Sequence, residues 1–336
     1  MKPTDFSVHM TGFLTHHLAA QRNLSPNTVR TYRDAFTLLL RFCRDQRGIA
    51  LERLCLKHVD VPLVEAFLDH LEAERQVSIP TLNNRLAALH SFFRYVQSEV
   101  PDHLLQCQRI LAIPLRRQTR AIVGYLSKED LARILAQPDL RRRAGRRDAV
   151  LLSVLYDTGA RVQELIDLSA GDVRLDPPAQ IRLFGKGRKM RAVPLMEATS
   201  RILGDYLHEN GLQRPEKSEE PVFQNRRGGR LSRWGVRYIL DKHVRAVRDA
   251  DPGFRQPVTP HTLRHTKGMH LLQAGVSLEI IRDFLGHEGV TTTQIYARAN
   301  LEMKRKALAK VADPDGFPEV PSWQRDQNLL DWLHSL

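Results

Sequence analysis

The segment HTLRHTKGMHLLQAGVSLEIIRDFLGHEGVTTTQIYAR, residues 261–298, carries four histidines, three arginines and one tyrosine. These residue types support three chemistries: a metal held by imidazole, a phosphate held by guanidinium, or covalent attack by the phenol with a histidine as base. The metal reading is weak. His261 and His265 are four apart and can share a helix face, but no HExxH arrangement supplies an acidic partner. The three cysteines, Cys43, Cys55 and Cys107, lie far upstream without CxxC spacing, and they read as buried thiols. His261-x-x-Arg264 is too short a motif to decide anything alone. Its weight comes from four companions: Arg161 in DTGARVQEL, Lys186 in a GKG turn, His287 in LGH and Tyr296 in TTTQIY.

The whole chain favours a polyanionic partner. Its 336 residues include 51 basic against 38 acidic side chains, a formal charge of +13. Forty of the basic residues are Arg, whose planar fork matches paired phosphate oxygens. Nucleic acid is the leading partner, and an anionic membrane surface is a weaker one because no basic amphipathic anchor helix stands out. No apolar run approaches bilayer length, and MKPTDFSVHMTGFL lacks the features of a secretory signal, so a soluble cytoplasmic protein is expected.

Two domains are expected, the first spanning residues 1–107 and all helical. In SPNTVRTYRDAFTLLLRFC, Ser25 is an N-cap and Pro26 the first helical residue, and Val29, Tyr32, Phe36, Leu39 and Leu40 form one face. PTLNNRLAALHSFFRYVQSEV repeats the pattern with Leu82, Leu86, Leu89, Phe93 and Val96. Arg30, Arg33, Arg85 and Arg94 fall outside these stripes and are candidate DNA contacts. Residues 108–124 read as a basic linker, and Ser127 caps the first helix of a second domain, 125–313. There IRLFGKGRKMRAVPL predicts a β-hairpin turning at or just beyond Gly185-Lys186-Gly187. PVFQNRRGGRLSRWGVRYILDKHV predicts a short strand, a Gly228-Gly229 turn and a helix capped by Ser232, with Arg230, Arg233 and Arg237 near its phosphate-binding end. The fold class is therefore mainly α with a small β-sheet. Residues 314–336 form a Pro-rich tail ending in Leu329, Leu330, Trp332, Leu333 and Leu336, a candidate docking segment on its own domain or a neighbouring subunit.

Arg161, Lys186, His261, Arg264, His287 and Tyr296, in that order and separation, make the chain resemble tyrosine recombinases of the phage integrase and Xer type. The resemblance runs from SPNTVRTYRDAF to the tyrosine and leaves out only the tail beyond about residue 313. It implies an N-terminal SAM-like core-binding domain and a C-terminal α+β catalytic domain acting on double-stranded DNA as a homotetramer. It implies that Tyr296 attacks the scissile phosphate, leaving a 3′-phosphotyrosyl link and a free 5′-hydroxyl. Arg161 and Arg264 would hold the non-bridging oxygens, with Glu164 as a buttress. Lys186, or its rival Lys189, would protonate the leaving oxygen, His261 would take the tyrosine proton or hydrogen-bond the phosphate, and His287 would support the phosphate or the tyrosine. His265 would orient its neighbours and His270 would be structural. Such a transesterification conserves the phosphodiester energy and calls for neither ATP, a metal nor a small-molecule cofactor. Two rivals share features of this pattern: a type IB topoisomerase and a DNA-binding protein that keeps the fold without chemistry.

Overall fold

The computed structural model describes residues 2–22, 24–117, 124–185 and 189–286, the side chains of Ala19 and Gln21 apart. The chain divides into two units between residues 120 and 121. Lys186, His287, Tyr296 and the tail from 314 to 336 lie outside the described residues.

In the N-terminal unit, helix α1 (Asp5–Gly12) runs on as a π-helical stretch, Phe13–Gln21. Helix α2 (Pro26–Arg47) starts as its sequence dictates: the Ser25 hydroxyl accepts from Thr28 N–H, and Pro26 occupies a position that lacks an intrahelical donor partner anyway. It stops at Gly48, which takes φ +64°. Helices α3 (Val61–Ala73), α4 (Ile79–Glu99) and α5 (Leu104–Leu111) follow. Their apolar faces meet around Phe92, whose ring lies 5.4 Å from Phe13, 5.2 Å from Phe36 and 5.6 Å from Phe6, each in an edge-to-face arrangement. Cys43 and Cys107 are buried, and desolvation pushes the Cys43 thiol up to about 11; Cys55 is only half-buried, short of the expected buried thiol.

One expectation changes here. Residues 108–113 do not act as linker: they finish α5 and place Ile110 and Ile113 in this core. Beyond them, the Asn83 side chain holds Arg116 by both its backbone N–H and its carbonyl, at 2.9 and 3.0 Å. Arg85, a candidate DNA contact, is half-buried and donates one N–H to the Thr31 carbonyl of α2 at 3.1 Å, a brace between two helices. Arg30, Arg33 and Arg94 are exposed.

The second unit contains α6 (Lys128–Leu135), α7 (Arg143–Thr158), α8 (Val162–Asp167), α9 (Glu197–Glu209), α10 (Arg233–Ala250), α11 (Pro260–Gln273) and α12 (Leu278–Leu285). Between α8 and α9 lies a three-stranded antiparallel sheet in the order β1 (Val173–Arg174), β2 (Gln180–Phe184), β3 (Met190–Pro194). Phe184 pairs with Met190, so the hairpin turns beyond Gly185 as its glycines predict. The strand expected at PVFQN reduces to isolated bridges, Ser169 with Pro221 and Gln224 with Arg230, because its first two residues pair with residues 168–169 and the next three with residues 229–231. Helix α7 is central. It packs on α9 and α11, and its buried Asp148 accepts from Arg147 at 2.8 Å and from Lys242 and His243 of α10 at 3.1 Å each. Burial alone would raise the Asp148 carboxyl, but these donors outweigh it and hold it at about 2.

Among the described residues no helix is long and apolar enough to cross a membrane. The Phe92 cluster yields a first test. Phe92→Ala removes a ring that meets Phe6, Phe13, Phe36 and Phe93 and should destabilise the N-terminal unit by about 3 to 5 kcal/mol, measured by urea unfolding followed by circular dichroism.

Candidate active site

The site begins where α7 stops. Gly159 takes φ +57°, which reverses the chain, and a Cβ there would stand 2.5 Å from Leu285 Cδ2, so only glycine allows the close approach of α12. Thr158 supports the turn by donating its hydroxyl to Val154 O and accepting from Ala160 N–H. Two residues on, Arg161 is the extended N-cap of α8.

Glu164, only 4% exposed, organises this corner. Its carboxylate accepts from the Arg161 backbone N–H and from Arg161 Nη1, each at 2.8 Å. It also accepts both terminal nitrogens of Arg191 on β3, at 3.0 and 2.7 Å. Burial alone would raise its pKa, but the Arg191 hydrogen bond and charge, joined by Arg161, outweigh this and hold Glu164 below the usual carboxylate range.

The second arginine comes from α11. Thr259 caps that helix by accepting from Thr262 N–H, and Pro260 opens it. His261 and Arg264 then fall one turn apart on one face. His261 is exposed, whereas Arg264 is 3% exposed and donates to Gly159 O at 2.6 Å and Leu285 O at 2.5 Å. Partial burial, then the charges of Arg264 and Arg161, lower the His261 pKa. Burial, then His261 and Arg264, lower that of His265 to about 4. His270 bonds the Tyr156 hydroxyl at 2.9 Å and Leu126 O at 3.1 Å, a bridge across the second unit.

Three guanidinium groups thus converge on the C-terminal end of α12. Phe284 O accepts from Arg191 Nε at 3.0 Å, Leu285 O from Arg264, and Gly286 O from Arg161 Nη2 at 2.9 Å. These carbonyls lie where a helix leaves its acceptors without intrahelical partners and where its dipole is negative, so cations stabilise them. Among the described residues, three guanidinium groups gather here around the carboxylate of Glu164, a locally positive corner suited to an oxyanion. Arg161 and Arg264 are brought together. The hairpin also arrives here, since a Cβ on Gly185 would lie 3.4 Å from Glu164 Oε1 and 3.9 Å from Arg161 Nη1. Lys186 follows Gly185 in the sequence, and His287 follows Gly286; both, with Tyr296, lie outside the described residues. The rival Lys189 is exposed, and its carbonyl accepts from Gly185 N–H at 2.9 Å.

The basic residues expected to face nucleic acid have local partners. Arg230 bonds Ile166 O and Ser169 Oγ at 3.2 Å each, Arg233 bonds Gln163 Oε1 at 2.8 Å, and Arg237 pairs with Asp241 at 2.7 Å. Between them Trp234, 83% exposed, and Tyr238 stand out from the start of α10. The sequence reading did not single these aromatics out, nor Arg191, nor Lys267. Arg191 did leave a signal: its inward register on β3, opposite Leu183, is an arginine where alternation calls for an apolar residue. Lys267 is buried on α11 and pairs with Asp157 at 2.9 Å, while the other Asp157 oxygen accepts from Met196 N–H.

Residues 124–303 match the family model described as phage integrase family, and residues 12–99 match the phage integrase N-terminal SAM-like domain. The chain belongs to the phage integrase family. It is 41% identical over 326 residues to y4rC of Sinorhizobium fredii, a protein named as an integrase/recombinase, with 96% of each chain covered. It is 31% identical over 297 residues to the tyrosine recombinase XerC of Oceanobacillus iheyensis, covering 88% of this chain and 92% of that one. This phage integrase family member is a tyrosine recombinase, an enzyme. Its fold resembles the Tn1549 transposon integrase in complex with transposon right end DNA, at TM-score 0.69 and 16% identity over 92% of this chain and all of that one. It also resembles XerH bound to difH, at TM-score 0.65 and 24% identity over 87% of this chain and 81% of that one.

Glu164→Gln would remove the charge shared by two guanidinium groups and leave Arg191 buried without a counter-ion. The expected loss is about 3 kcal/mol, measured by thermal or urea unfolding of the variant beside the parent chain.

Proposed function

We propose that the protein binds double-stranded DNA recombination sites and that Arg161, His261, Arg264, His287 and Tyr296, with Lys186 or Lys189, cleave and rejoin their strands. The protein is a site-specific DNA recombinase. The observation that carries the site assignment is the convergence of Arg161 and Arg264 on the end of α12, one residue before His287. Each terminal guanidinium nitrogen carries two hydrogens, so an arginine can brace the protein and still present N–H groups to a phosphate.

The reaction follows from these roles. Tyr296 Oη attacks the scissile phosphorus while its proton passes to His261. The two arginines neutralise charge growing on the non-bridging oxygens of the pentacoordinate phosphate. The bond to the 5′-oxygen breaks, and Lys186 or Lys189 donates a proton to that oxygen. One ester replaces another, and the products are a 3′-phosphotyrosyl link and a free 5′-hydroxyl. Attack by the 5′-hydroxyl of a partner strand reverses the steps and completes an exchange. Basic side chains, among them Arg30, Arg33 and Arg94, would hold the phosphate backbone. Two sites held by four protomers would account for paired exchange, the tail beyond residue 314 being a subunit contact. The setting would be the cytoplasm, on nucleoid DNA, with mobility of a genetic element as the task.

A nicked suicide site tests the assignment, because cleavage next to a nick releases a short fragment and traps the covalent adduct. Tyr296→Phe should abolish the adduct while site binding in a gel-shift assay stays within about threefold. Loss of both together would make Tyr296 structural, and relaxation of plasmids with no site preference would favour a topoisomerase instead. The lowered pKa of His261 predicts a pH profile as well. A base must be neutral, and a depressed pKa keeps it so further into acid, so the midpoint of the acid limb of the single-turnover cleavage rate should lie below pH 6.5, the ordinary histidine value. A midpoint above that value would exclude His261 as the base.

A further inference from the structure

We propose that Arg191 is a positioning residue for strand cleavage, one that keeps the charge of Arg161 available to the phosphate and fixes the start of the segment leading into His287. The proposal rests on the site assignment above.

Arg191 occupies an inward register on β3, and its side chain is 12% exposed. A buried guanidinium is stable only when its donors are met, and here all three nitrogens are: Nη1 and Nη2 on Glu164, Nε on Phe284 O. One side chain thereby joins the strand leaving the hairpin that carries Lys186 and Lys189, the helix that starts at Arg161, and the end of α12.

Charge supplies the second step. Glu164 is the carboxylate beside Arg161, and with no other partner it would neutralise that arginine. Arg191 binds the same carboxylate bidentately, so two cations share one anion and a net positive charge remains. Arg191 lies inside and Arg161 is the more exposed of the two, with side-chain exposure of 37%, so the surplus falls on the side open to a ligand. The third step concerns Gly286. A Cβ there would meet Arg191 Nη1 at 2.9 Å and Cδ at 3.1 Å, and Gly286 takes φ +64°. Arg191 therefore packs directly against the residue that precedes His287.

The test uses the full chain on the nicked site, at saturating DNA, with an ordinary scissile phosphate and with a neutral methylphosphonate at the same position. Arg191→Met should slow adduct formation on the phosphate on the order of 100-fold, the scale of a small misplacement of reacting groups, with affinity for the site within about threefold. On the methylphosphonate, which has lost one charged oxygen and needs less positive charge, the defect should shrink to within about tenfold. Should Arg191→Met not fold, Arg191→Lys carries the same comparison, since it keeps a charge but cannot make two parallel bonds to Glu164 and a third to Phe284. Equal defects on both linkages, or cleavage at the parental rate, would overturn the proposal. The parent chain in the same assay separates the two readings. No adduct from the parent overturns both, whereas a parental adduct with an unimpaired Arg191 variant overturns the role of Arg191 alone.

Discussion

The constraint on which the second unit depends is the need to satisfy the last carbonyls of α12. A helix of eight residues ends with acceptors its own backbone cannot reach, and Phe284, Leu285 and Gly286 are met by arginines from β3, α11 and α8. Three elements distant in sequence are thereby drawn to one point. The same act that caps the helix gathers the guanidinium groups the chemistry calls for. Glycines at 159 and 286 make the approach possible, each in left-handed backbone and each with no room for a side chain.

Glu164 then sets the balance of charge. It is buried and shared between two arginines, and it holds the N-cap N–H of α8 as well. A carboxylate so placed fixes the orientation of Arg161 without cancelling the positive character of the corner. Behind it lies a further layer, in which Lys267 pairs with Asp157 and packs over the rings of Tyr156 and Phe284, while Asp157 receives the N–H of Met196 at the start of α9. Buried ion pairs of this kind contribute modestly to stability, but breaking one side is costly, which confines the surrounding elements to one arrangement.

Much of the local structure was legible beforehand because its causes are local. Ser25, Ser127 and Ser232 cap helices through hydrogen bonds spanning three residues, Pro26 sits in a first turn, and the hairpin follows from alternation around Gly185. What was not legible has a cause too. That Arg85 braces two helices was hidden because helical spacing does not reveal that the Thr31 carbonyl of a neighbouring helix lies within reach. The linker was set too early because Ile110 and Ile113 are few and sit beside polar residues, and only the core they fill identifies them.

By itself, the sequence determined the types and order of the reactive residues, the helical character of both units, the excess of positive charge and membership of the phage integrase family. Those properties reside in residue identity, short-range hydrogen bonding and periodicity. Only the tertiary structure decided that Arg161 and Arg264 meet, 103 positions apart in the numbering, and that Arg191 reaches from β3 of the hairpin to the Glu164 carboxylate that also holds Arg161. Such meetings depend on which buried carbonyl or carboxylate a long side chain can reach once the elements have packed. That is a property of distances in space, which no local pattern encodes.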